Sequence, residues 1–109
     1  MPDPAGSVVR IGEPGQPCFQ LRPGEEGLSV FDPEAVQPPL EEDEILRQFR
    51  PGSVMVVRSM AALGAAGLEV VPVPGAEMLP PRLRQAHREI RPGAGTTRKQ
   101  FKQALKSLE

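Results

Sequence analysis

The chain has 109 residues, room for one domain and one core but not for two lobes around a deep cleft. Its hydrophobic content is 39%, it carries 14 prolines and 11 glycines, and its net charge is −1. It therefore reads as short elements joined by turns, and it lacks the strongly basic balance of a typical nucleic-acid binder. The lone Cys18 excludes an intrachain disulfide, and with a single histidine there is no Cys/His zinc cluster. No apolar run approaches the roughly 18 residues of a membrane span, and Met1-Pro2-Asp3-Pro4 lacks the basic and apolar regions of a secretion signal. A cytoplasmic protein is expected.

Residues 1–6 read as a disordered N-terminus, and residues 7–109 as a single domain. Ser7 to Ile11 is short and β-prone, and Gly12-Glu13-Pro14-Gly15 is a turn. Cys18 to Arg22 and Leu28 to Phe31 alternate as strands, and the Pro/Gly connection between them predicts a hairpin. Asp32 caps a helical turn that starts at Pro33. A helix opens at Pro38-Pro39, gathers acids in its first turns, presents Ile45, Leu46 and Phe49 as a stripe, and stops at Pro51-Gly52.

Ser53 to Arg58 reads as a buried-type strand. Ser59 caps a small helix over Met60 to Ala66 that ends on Gly67, and Leu68 to Val73 is a further strand. This strand–helix–strand unit is too short to require parallel neighbours. Pro74-Gly75 is a turn, Pro80-Pro81 leads into a helical turn, and Ala86 to Arg91 is a strand. Thr97 and Gln100 form a capping box for a terminal helix whose Phe101, Leu105 and Leu108 fall on one stripe. The fold class is α+β: short, mostly antiparallel strands with a C-terminal amphipathic helix packed on the sheet.

Chemistry concentrates in two places. Strand alternation places Gln20 and Arg22 on one face of the first hairpin strand, and Ser29 and Phe31 on one face of the second. A guanidinium, a hydroxyl and an aromatic ring on neighbouring strands suit a phosphorylated aromatic ligand. Taken by pattern alone, such a trio is more often a core ring with a solvated arginine. His87 and Glu89 share a strand face, an arrangement that serves acid–base work as well as a purely structural role.

Two segments resemble a known family. Gly27-Leu28-Ser29-Val30-Phe31-Asp32 and Leu83 to Pro92, with the helix that follows, resemble small bacterial effector toxins delivered by type VI secretion that have an ADP-ribosyltransferase-like fold. The resemblance covers about half the chain and is more specific in its second segment. It implies a split β-sheet that binds NAD. It also implies that Arg22, with Gln20 beside it, holds a phosphate or ribose, that Ser29 supports the nicotinamide ribose, that Phe31 lines the nicotinamide pocket, and that His87 assists. The reaction implied is transfer of ADP-ribose to a macromolecule or to water, with an antitoxin or immunity partner covering the site. Leu28 stands where the family has threonine, and Glu25, Glu26 and Glu89 remain alternatives for the carboxylate such chemistry uses.

A different class of function starts from charge. Residues 1–81 carry −7 and residues 82–109 carry +6. A non-enzymatic interaction module would use Arg98, Lys99, Lys102 and Lys106 of the terminal helix to meet an acidic protein or nucleic acid.

Overall fold

The computed structural model describes residues 6–73, 75 and 77–109. The expected loose start at 1–6 therefore lies outside the described residues except for Gly6, whose carbonyl accepts the Met60 N–H at 2.9 Å. Pro74 of the expected Pro74-Gly75 turn also lies outside them.

Among the described residues five strands form one antiparallel sheet: β1 (Ser7–Gly12), β2 (Leu28–Phe31), β3 (Val54–Ser59), β4 (Leu68–Pro72) and β5 (His87–Pro92), in the spatial order β3-β1-β2-β5-β4. Among the described residues the α-helices are α1 (Glu42–Leu46), α2 (Met60–Ala65), α3 (Pro81–Ala86) and α4 (Arg98–Lys106), and a one-turn 3-10 helix spans Pro33–Ala35. This is the expected α+β architecture. The split is also visible. β1 pairs with β3 from Ser7↔Ser59 to Gly12↔Val54, whereas β1 meets β2 at the single pair Val9↔Phe31. Beyond that pair the two strands part.

The local signals behind these elements hold. Ser59 accepts the Ala62 N–H at the start of α2, and Gly67 takes φ +80° just past its end, a conformation that costs a side-chain-bearing residue more than glycine. Thr97 and Gln100 cap each other's backbone at the start of α4. Asp32 accepts the Glu34 N–H ahead of the 3-10 turn.

Alternation along the strands gives the sheet two apolar faces. On one, Val8, Leu28, Val30, Leu68 and Ile90 pack under α4 (Phe101, Leu105, with Leu108 just after it) and under Leu63 of α2. On the other, Phe31 packs with Val36, Leu40, Ile45 of α1, and Leu83 and Ala86 of α3. Burying each large side chain contributes about 1.5–3 kcal/mol. The second core covers only one end of its face and leaves Ser29 exposed.

Three expectations need correction. Cys18–Arg22 is not a strand, so there is no hairpin between it and β2. Cys18, Phe19 and Leu21 are buried in the core, but the segment's polar groups are taken elsewhere. The Glu109 carboxylate accepts the Cys18 and Phe19 N–H groups at 2.9 and 2.6 Å, and the Arg10 Nε donates to the Cys18 carbonyl at 2.8 Å. Backbone groups held by side chains in this way are not available to a ladder. Second, β3 is an edge strand rather than a buried one, with Val54 and Val57 42% and 52% exposed. Third, the helix expected from Pro38 begins at Glu42 and ends before Phe49. The two prolines carry no N–H, and each disfavours the helical conformation in the residue before it.

Candidate functional site

The opening between β1 and β2 is occupied by Arg10. Arg10 sits on β1, and its guanidinium donates from Nε to the Cys18 carbonyl and from Nη1 to the Ser29 carbonyl at 2.9 Å. It thereby joins the two halves of the sheet where the ladder has ended. The remaining Nη2 has no hydrogen-bond partner among the described residues. Burial pulls the Arg10 guanidinium below its ordinary pKa, with the Glu25 carboxylate acting in the opposite direction. Arginine stays protonated in either case, so this is a fixed, partly desolvated positive charge.

Two cavities meet at this residue. One, of about 450 Å³, is lined by Arg10, Ser29, Phe31, Phe49 and His87, with Met78 and Leu79 at its side. The other, of about 280 Å³, is lined by Arg10, Gln20, Arg22 and Arg50, with Glu13 at its edge. Arg10, Ile11 and Phe49 belong to both, so together the cavities form one bent trough. Its first arm is aromatic. Phe31 meets Phe49 edge-on with ring centroids 6.2 Å apart, and meets the His87 ring edge-on at 5.7 Å. Its second arm is cationic.

The sheet register explains why the first arm assembles. Phe31 lies directly opposite His87, and Ser29 directly opposite Glu89, so all four side chains belong to one face. Phe31 and His87 are buried while Ser29 is exposed to the cavity. The His87 Nδ1 is 2.8 Å from the Val73 carbonyl. A carbonyl only accepts, so Nδ1 carries the proton, and in the neutral ring Nε2 keeps its lone pair free to accept one.

The residues named from the sequence thus divide. Ser29, Phe31 and His87 share the aromatic arm, and Gln20 and Arg22 share the cationic arm. Gln20 and Arg22 are exposed and reach it from an irregular segment rather than from a strand. Glu89 lies on the same sheet face but lines neither arm. Its carboxylate accepts from the Arg91 Nε at 3.0 Å and lies against Gly27, where an added Cβ would fall 2.7 Å from it. Of the cations proposed for partner binding, Arg98 is engaged internally. It donates to the Glu25 and Arg22 carbonyls at 2.7 and 3.2 Å, while Lys99, Lys102 and Lys106 stay exposed.

Arg10, Phe49 and Arg50 are the trough residues that sequence reasoning missed. Arg10 did leave a signal, as the single charge inside the β-prone run Val8-Val9-Arg10-Ile11. Phe49 was legible as an aromatic residue next to the Pro51-Gly52 stop, but as part of a helix stripe rather than a cavity wall.

The chain therefore falls in the class of small α+β proteins with a split antiparallel sheet and a bent, arginine-centred trough at the split. No protein-family model, curated protein or solved structure matches it. Among the described residues no helix is long and apolar enough to cross a membrane, and no group of three or more His, Cys, Asp or Glu is placed to hold a metal ion.

Proposed function

We propose that this chain is an ADP-ribosyltransferase-like toxin domain that binds NAD in the trough and breaks its nicotinamide–ribose bond, in the bacterial cytoplasm. The observation that carries the reading is Arg10, a fixed cation at the junction of an aromatic arm and a cationic arm. A dinucleotide has the matching order of parts, with an aromatic ring and ribose at one end and a diphosphate next to them.

In this reading Arg10, with Arg22 and Gln20, holds the diphosphate, since guanidinium groups recognise phosphate oxygens in pairs. Phe31 and Phe49 together form the aromatic wall against the nicotinamide ring. The Ser29 hydroxyl orients the adjoining ribose. Nicotinamide leaves with the bonding electron pair, which neutralises its ring charge, and the ribose carbon gains positive character. An acceptor hydroxyl or water then bonds to that carbon and passes its proton to the His87 Nε2. Glu89, opposite Ser29 in the ladder, supplies negative charge near the ribose once it exchanges Arg91 for the ligand. A protective antitoxin or immunity protein would act by covering the trough.

The test is incubation of the purified chain with NAD and chromatographic measurement of free nicotinamide. Release is expected from the wild type, and it should fall about tenfold in Ser29→Ala, the loss of one orienting hydrogen bond. Ser29 is exposed, so its removal leaves the core intact. Absence of both NAD binding and nicotinamide release from folded protein overturns the reading.

A further inference from the structure

A further cleft, of about 590 Å³, is lined by Arg84, Gln85, His87 and Arg88, with Glu77 as the acid among the described lining residues. We infer that this cleft is an oxyanion-binding site and that, on the reading proposed above, it receives the phosphate or carboxylate of the ADP-ribose acceptor.

The Arg84 Nε is buried and has no hydrogen-bond partner among the described residues. A buried donor left in this state is costly, and native proteins rarely keep one without a use for it. Nε and the neighbouring Nη of an arginine form a side-on fork that matches two oxygens of a phosphate or carboxylate. Such a ligand is therefore what the Arg84 donors lack.

Arg88 complements it. Its Nη1 donates to the Gln85 and His87 carbonyls at 2.9 and 2.8 Å, which fixes the guanidinium at the cleft and leaves its other donors unclaimed among the described residues. A side chain already held in place gives up less freedom on binding. Two guanidinium groups against the single Glu77 carboxylate leave the cleft net positive.

Position gives the site its purpose. His87 lines both this cleft and the aromatic arm of the trough. An acceptor held by Arg84 and Arg88 is therefore placed beside His87, the residue that is to take its proton. The two clefts share His87 but not their cations, so donor and acceptor can be present together.

The experiment follows the Arg84 Nε–H resonance in ¹H–¹⁵N spectra of the full chain, assigned by its loss in Arg84→Lys. Sodium phosphate is titrated at constant ionic strength, and sodium acetate in a parallel arm. A saturable shift with either anion supports the site, and the arm that binds more tightly names the acceptor's group. Read on the backbone amides of Gln85 and Arg88, which every variant keeps, phosphate affinity should fall about tenfold in Arg84→Lys, which keeps the charge but loses the fork, and also in Arg88→Gln. If neither anion produces a saturable shift, the site is overturned. The titration is repeated with saturating NAD. Unchanged phosphate affinity supports an acceptor site, whereas displacement by NAD overturns that role. Anion binding is read without turnover, so failure to release nicotinamide would sink the proposed function and leave this site standing.

Discussion

Glu109 pins the segment that carries the cationic arm. Its carboxylate accepts the backbone N–H groups of both Cys18 and Phe19 at 2.9 and 2.6 Å, across about 90 residues of sequence. Replacing it by alanine removes both bonds and frees the start of the loop bearing Gln20 and Arg22. A hydrogen bond to a charged group contributes about 1.5–3 kcal/mol when sheltered. Glu109 is exposed, so water replaces part of this, and the net loss should be about 2 kcal/mol for the pair. That corresponds to roughly a 30-fold fall in the protection of the two amides, since about 1.4 kcal/mol is a factor of ten. Amide hydrogen exchange measures it directly, and Glu109→Gln, which keeps one acceptor oxygen, should recover about half the free energy. Cys18 and Phe19 amides that exchange in the wild type as fast as exposed ones, or unchanged protection in Glu109→Ala, would refute the reasoning.

Three further outcomes follow from the same contacts. Phe101→Ala empties the centre of the core under α4 and should cost about 3–5 kcal/mol in chemical denaturation, with Leu105→Ala at about 2–5. Thr97→Ala removes the capping oxygen that accepts the Gln100 N–H, and should lower stability by about 1 kcal/mol, a drop of several degrees in Tm. Glu44 accepts hydrogen bonds from Arg82, which hold its carboxyl below the usual carboxylate range. Because the folded-state value is depressed, the stabilisation is present above the unfolded carboxylate pKa of about 4.3 and is lost as pH falls through the folded value. Glu44→Gln should therefore lower Tm near neutral pH and cease to matter in acid.

Local chemistry settled much of the architecture before any tertiary contact was known. Thr97 with Gln100, Ser59 with Gly67, and Asp32 with Pro33 each satisfy backbone groups within a few residues, so their helices and turns are legible in the chain order. The Phe101–Leu105–Leu108 stripe likewise names its buried face through the helical period alone. Pairing partners are different, because they depend on groups distant in sequence. Cys18–Arg22 has the alternation of a strand, yet Glu109 and Arg10 take its donors and acceptors, and β1 occupies the place beside β2. Whether Val54–Val57 lies in the middle of the sheet or at its edge depends on where α2 delivers the chain, and an apolar run reads the same in either place. The site follows the same division. Ser29, Phe31 and His87 could be named from their residue types and strand faces, because the face of a strand is a local property. That Arg10 borders the same cavity and that the Arg84 Nε is buried with no partner among the described residues were decided by strands parting and helices closing over them, and no local pattern encodes that.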